Sequence, residues 1–130
     1  MSATYRLVRL LGGFSAGLLL IGNAAWAEPA AIVKMTDHMQ FSPAIVTIRA
    51  GATVAWKNVS KLVHTVTDVP NRAVKPADAS LPADAKAFNS GYIAPGRSYR
   101  HTFTVPGSYH YFCIPHEADG MVGEVKVLPR

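Results

Sequence analysis

Seven short stretches of this chain alternate apolar and polar residues, and glycine or proline punctuates the joins between them. They are AIVKM (31–35), IVTIRAG (45–51), ATVAWKN (52–58), LVHTVT (62–67), SYRHTFTV (98–105), SYHYFC (108–113) and VGEVKVL (122–128). A period of two places successive side chains on opposite faces, so each stretch reads as a half-buried strand rich in β-branched and aromatic residues. Many short strands with turn signals between them predict an all-β protein, an antiparallel sandwich or barrel. One segment breaks the pattern. DVPNRAVKPADASLPADAKAF (68–88) carries three prolines and many alanines, and reads as a long irregular connection with a turn of helix near 76–79 or 82–86.

The first 27 residues have a different character. Arg6 and Arg9 precede an apolar run from Leu10 to Ile21, and AWA at 25–27 offers small residues for cleavage. That is the pattern of a secretory signal peptide, and the run is shorter than the roughly 20 apolar residues that span a bilayer. Cleavage after Ala27 leaves one domain, 28–130, with no stable membrane association and a periplasmic or otherwise exported location expected. The domain is large enough to bury a core unaided. It needs to be, because its single cysteine, Cys113, excludes an internal disulfide. An odd thiol in an exported protein calls for a partner thiol, a reactive role or a metal. The remaining basic residues are scattered, without a Lys/Arg block or a nucleic-acid motif, so no nucleic-acid partner is expected.

Cys113 sits in YFCIPHEADGM (111–121), three residues before His116 and eight before Met121. Thiolate, imidazole and thioether are soft or borderline ligands, suited to copper, zinc or iron–sulfur chemistry rather than to calcium or magnesium. One cysteine holds neither an iron–sulfur cluster nor a cysteine-rich zinc site. Two histidines, one cysteine and a weak axial methionine form the blue-copper set. The second histidine has to come from another part of the chain, and His64 in LVHTVT is the best placed. With all four positions filled by protein there is no open position for a substrate, so an enzyme is not expected.

The stretches VAWKN, the downstream His64 and SGYIAPGRSYRHTFTVPGSYHYFCIPHEADGMVGEVKV closely resemble the plastocyanin, pseudoazurin and amicyanin group of cupredoxins, from about Ala31 to Leu128. The specific element is Cys-x-x-His-x-x-x-x-Met after PGSYHYF. The resemblance implies an eight-stranded Greek-key sandwich, His64, Cys113, His116 and Met121 as ligands to one copper ion, and single-electron shuttling between redox partners. Such partners include a c-type cytochrome, or a periplasmic dehydrogenase or reductase, met by a monomeric carrier. Three positions depart from plastocyanins: Val63 and Thr65 flank His64 where Pro and Asn are usual, and Phe112 precedes the cysteine where Tyr is common. A copper-delivery protein is the alternative, but delivery favours exposed Met/His clusters and the chain shows one compact site. A small oxidase or reductase would need His-x-His ligands that the chain lacks.

Other residues are expected to have structural roles. His38, His101 and His110 read as ordinary surface residues, His110 having opposite parity to Cys113. Met35, Phe41, Trp56 and Phe103 are expected in the core, with Tyr109 and Tyr111 beneath the site. Gly91, Gly96 and Gly107 read as turn residues.

Overall fold

The computed structural model describes residues 27–130, so the expected leader, apart from Ala27, lies outside the described residues. Seven strands form two sheets: β1 (Ala31–Met35), β2 (Phe41–Ser42), β3 (Ile45–Arg49), β4 (Ala52–Asn58), β5 (Ser98–Phe103), β6 (Gly107–Phe112) and β7 (Val122–Leu128). One sheet has the order β2-β1-β4-β5 and the other β3-β7-β6. The alternation expected from the sequence sets which side chains face inward. Val33, Met35, Val54, Trp56 and Phe103 from the first sheet meet Val46, Ile48, Tyr109, Tyr111, Val125 and Val127 from the second. Trp56 and Tyr111 cross the gap edge to face at 5.3 Å, and Phe41 and Phe103 pack on Tyr111 and Tyr109 at 4.8 Å. At about 25 cal/mol per Å² and 150–250 Å² per ring, each buried aromatic contributes about 4–6 kcal/mol as an upper bound.

The sandwich departs from the expected one in three respects. It is not wholly antiparallel: β1 pairs with β4, and β3 with β7, in parallel. The two-residue strand β2, bound to the end of β1, was not expected. The stretch 62–67 is not a strand; it makes isolated bridges, His64 to Ile93 and Thr67 to both Asn89 and Phe112. Its backbone donors explain this. Thr65 N–H points at the Cys113 sulfur (3.3 Å) and Val66 N–H at Ser90 Oγ (2.7 Å), so no ladder can close. The described residues thus form the expected two-sheet β-sandwich with seven regular strands and an irregular segment at 62–67.

The 68–88 connection contains 3-10 turns at Pro70–Arg72 and Pro76–Asp78, the second close to one of the two expected places. It runs down the free edge of β6, with Thr67 opposite Phe112, Ser80 opposite His110, and Pro82 against Gly107. Covering that edge protects it from pairing with another chain. Gly107 has φ 137°, and a Cβ there would overlap Pro82. Gly123, opposite Tyr111, lets the tyrosine ring lie directly over the β7 backbone.

Strand directions define two poles. β1, β4 and β6 run toward one pole, ending at Met35, Asn58 and Phe112, and β3, β5 and β7 run away from it. The residues that follow β4 and β6 form the site.

Candidate metal centre

β6 delivers Cys113 to this pole, fully buried. A kinked pair of 3-10 turns follows, Ile114–Asp119, with Pro115 as its second residue, and Gly120 in the left-handed region (φ 77°) ends it. The loop closes on itself: Cys113 N–H bonds Met121 O (3.0 Å), His116 N–H bonds Cys113 O (3.1 Å) and Met121 N–H bonds His116 O (3.2 Å). Nine residues of chain, Cys113 to Met121, are thereby folded into one small ring, with His116 half-buried and Met121 fully buried in the same cluster as Cys113.

His64 enters from the irregular segment that follows β4. Its backbone is clamped to Ile93 by two hydrogen bonds (3.2 and 2.8 Å), and its side chain is fully buried. Ring Nε2 lies 2.9 Å from Ser60 Oγ, which lies 2.7 Å from Asn58 Oδ1. Asn58 Nδ2 donates to Leu62 O (2.7 Å) and Ile93 O (2.9 Å). The chain of contacts is satisfied when Nε2–H donates to Ser60 and the Ser60 hydroxyl donates to Asn58. That tautomer leaves the Nδ1 lone pair free, 3.7 Å from the Cys113 sulfur. Burial, and then the facing His116, hold the His64 pKa below its ordinary value, so the ring is neutral and able to coordinate.

His116 Nδ1 is 3.4 Å from the sulfur, and the donor atoms of His64, Cys113 and His116 all lie within 4.8 Å of one another. An ion with metal–sulfur and metal–nitrogen bonds of about 2.3 and 2.0 Å holds nitrogen and sulfur about 3.5–3.7 Å apart at tetrahedral to trigonal angles. The observed separations fit. Burial pushes the Cys113 thiol up, against the partial opposition of the Thr65 N–H, so the metal-free protein carries a thiol and a bound cation displaces its proton. Among the described residues no other cluster of His, Cys, Asp and Glu is so arranged.

The expected site residues His64, Cys113 and His116 converge, and Met121 closes the loop. Residues to which the sequence assigned no supporting role hold them in place. Thr65 Oγ1 accepts the Ile114 N–H (2.7 Å), so this residue ties the His64 segment to the ligand loop through both its backbone and its hydroxyl. Glu117 is buried, and its two oxygens accept the N–H groups of Val74 and Lys75, all at 3.0 Å. Burial alone would raise the Glu117 pKa; these donors reverse the effect and hold it low, while burial and the Glu117 carboxylate push Asp78 up. A polar residue at a turn has no periodicity, so neither Ser60 nor Glu117 leaves a signal. His110 faces away from the site as expected, 4.0 Å from Glu124. His101 is not an ordinary surface residue: it is half-buried against Phe88 (4.6 Å) and Phe103 (4.7 Å), and burial lowers its pKa. Tyr109 and Tyr111 lie buried below the site.

A buried His–Cys–His cluster at one pole of a two-sheet β-sandwich defines a type 1 blue copper protein, a cupredoxin. Comparison with known proteins agrees. Residues 28–128 match the family of copper binding proteins, plastocyanin/azurin family, and the chain belongs to that family. The chloroplastic plastocyanin of Tetradesmus obliquus is 38% identical over 117 residues, covering 87% of this chain and 78% of that one. The plastocyanin of Scenedesmus fuscus is 39% identical over 87 residues, 67% of this chain and 85% of that one. Amicyanin from Paracoccus versutus superposes with a TM-score of 0.60 at 30% identity, covering 81% of this chain and 86% of that one. The protein holds one copper ion and belongs to the electron-transfer cupredoxins.

Proposed function

We propose that the protein is an exported, monomeric carrier of single electrons whose copper is held by His64, Cys113, His116 and Met121. The observation that carries the reading is the convergence of His64, Cys113 and His116 into one pole with donor atoms within 4.8 Å. Bound copper supplies a one-electron Cu(I)/Cu(II) couple. The chain contributes a site that changes little between those states. Ser60 and Asn58 fix the His64 ring, Thr65 locks two loops together, and the aromatic core below excludes water. His116 alone among the three is partly exposed, beside exposed Pro115 and Ala118, so electrons enter and leave through its edge. Partners of the expected kind, a c-type cytochrome or a periplasmic dehydrogenase or reductase, would dock there. The segment 1–27 acts as the export leader, and no described helix is long and apolar enough to cross a membrane.

The test is spectroscopic. Cu(II) protein should be intensely blue from thiolate-to-copper charge transfer, and Cys113→Ser should lose the band. A wild type that takes up copper without the band sinks the assignment. Copper delivery would instead show Cu(I) passing to a chelator within minutes, whereas a carrier with this buried site should retain it.

A further inference from the structure

We propose that the outer face of the β2-β1-β4-β5 sheet docks on an anionic phospholipid membrane through Lys34, Lys57, Arg97 and Arg100; this deepens the electron-carrier reading and rests on it. The strands set the face. Val33, Met35, Val54, Trp56 and Phe103 point into the core, so alternation turns Ile32, Lys34, Lys57, Ser98 and Arg100 outward. Register then gathers the cations. Lys34 lies opposite Lys57, which lies opposite Ser98; in the next row Ile32, Ala55 and Arg100 are neighbours. Arg97, also exposed, directly precedes Ser98. Two lysines side by side on strands about 4.8 Å apart repel each other. Among the described residues none of the four cations makes an ion pair.

The carboxylates do not cancel this face. Two stand at its ends. Glu28 follows Ala27, whose carbonyl Arg100 holds, and Asp37, in the loop after β1, accepts the N–H of Lys61. With both counted, Lys61 and the four cations still outnumber them. Elsewhere Arg49, Arg72, Lys75, Lys86, Lys126 and Arg130 are matched one for one by Asp68, Asp78, Asp84, Glu117, Asp119 and Glu124. The formal excess of positive charge in residues 28–130 is therefore all on this side.

The shape of the face selects a lipid surface. A protein partner is held at the centre of a contact by aromatic anchors and pockets. The outward residues of β1, β4 and β5 include no aromatic side chain, and the clefts beside the ligand loop, along β6 and beside His101 take none of the four cations. Lipid headgroups are mobile and need no pocket. An acidic leaflet attracts each cation within a screening length, and Ile32, 54% exposed in the row below Lys34, adds an apolar contact at headgroup level. The hold is reversible and salt-sensitive, unlike an anchor. None of the four belongs to the ligand loop or to 62–67. The strands point at the metal pole, so docking on their flat side directs that pole along the membrane plane, toward redox proteins held in the same membrane.

Sedimentation with sucrose-loaded vesicles, one third phosphatidylglycerol and two thirds phosphatidylcholine, measures the partition of the exported copper protein. At ~0.01 M salt, where charges act over ~30 Å, it should exceed the partition on pure phosphatidylcholine by at least about tenfold. At ~1 M salt, where they act over ~3 Å, it should fall to the phosphatidylcholine level. Lys34→Gln/Lys57→Gln should lower the low-salt value by at least about tenfold. The control Arg49→Gln/Lys126→Gln removes the same charge from the other sheet and should lower it less than about threefold. Vesicles should also protect Lys34 and Lys57, but not Lys126, from acetylation. Equal partition on both kinds of vesicle, or equal loss in the two double variants, overturns the proposal. So does protection of Lys34 and Lys57 by soluble polyglutamate but not by vesicles, which would assign the face to an acidic protein. Both variants should keep the blue band; a missing band in the unaltered protein would overturn the copper reading instead.

Discussion

Replacing Asp68 by asparagine should stabilise the protein at neutral pH. Asp68 is fully buried; Oδ1 accepts the Phe88 N–H at 2.7 Å, and Oδ2 has no partner. Burial raises its pKa from 3.8 to about 6, with the Phe88 and Asp68 N–H groups opposing. The folded state therefore keeps a proton that the unfolded chain has lost between about pH 4 and 6. Stability falls as pH rises through that window, and the full penalty is present above it. A shift of about two pKa units corresponds to about 3 kcal/mol. Asparagine keeps the acceptor for Phe88 and carries no charge, so the gain should approach about 3 kcal/mol at pH 7.5 and fall below about 1 kcal/mol at pH 4. The neighbouring phenols of Tyr99 and Tyr109 have pKa values raised first by burial and then by Asp68, so they stay neutral throughout. Urea unfolding of copper-free wild type and variant at several pH values between 4 and 7.5 measures the difference directly. Taking that difference cancels every titration the two proteins share. A difference that does not change with pH, or a variant less stable at pH 7.5, would refute the buried ionised carboxylate.

Met121→Leu should raise the reduction potential and Met121→Gln lower it, by ~59 mV for each tenfold change in relative affinity for the two copper states; voltammetry in which neither moves would remove Met121 from the ligand set. Ser60→Ala should leave His64 Nε2–H without its acceptor and Asn58 Oδ1 with only the backbone N–H of residue 60 as donor, costing about 1–3 kcal/mol; NMR of the His64 ring should then show both tautomers in the metal-free protein, and a single unchanged tautomer would show that Ser60 does not set it. Glu117→Ala should cost about 1.5–3 kcal/mol by freeing the Val74 and Lys75 N–H groups, and should raise amide exchange at 74–75 well above that at 109–111; equal exchange in variant and wild type would count against the clamp.

Strands whose two faces differ were legible in the sequence, because ATVAWKN and VGEVKVL place apolar side chains alternately whatever they pair with. Direction was not legible. Alternation is the same for parallel and antiparallel neighbours, so the β1–β4 and β3–β7 pairings could not be read. LVHTVT alternates like the others yet forms no strand, since its donors are drawn to a sulfur and a serine hydroxyl that lie 48 and 24 residues away. The cluster of His64, Cys113 and His116 was legible because thiol and imidazole carry their chemistry as residue types. Its supports were not: Ser60, Thr65 and Glu117 act through geometry that exists only once the loops are folded.

The two poles have a practical meaning for attachment. Ala27 O accepts from Arg100, and Ala30 N–H binds Thr53 O, so the chain enters at the pole opposite the metal. β7 also leaves toward that pole, with Leu128 beside Arg49. A tether, fused domain or electrode linker joined at Ala27 or just after Leu128 would therefore grow from the back of the molecule. The metal-bearing face would stay outward, so an immobilised film of this protein joined at either of those points should present the same electroactive orientation.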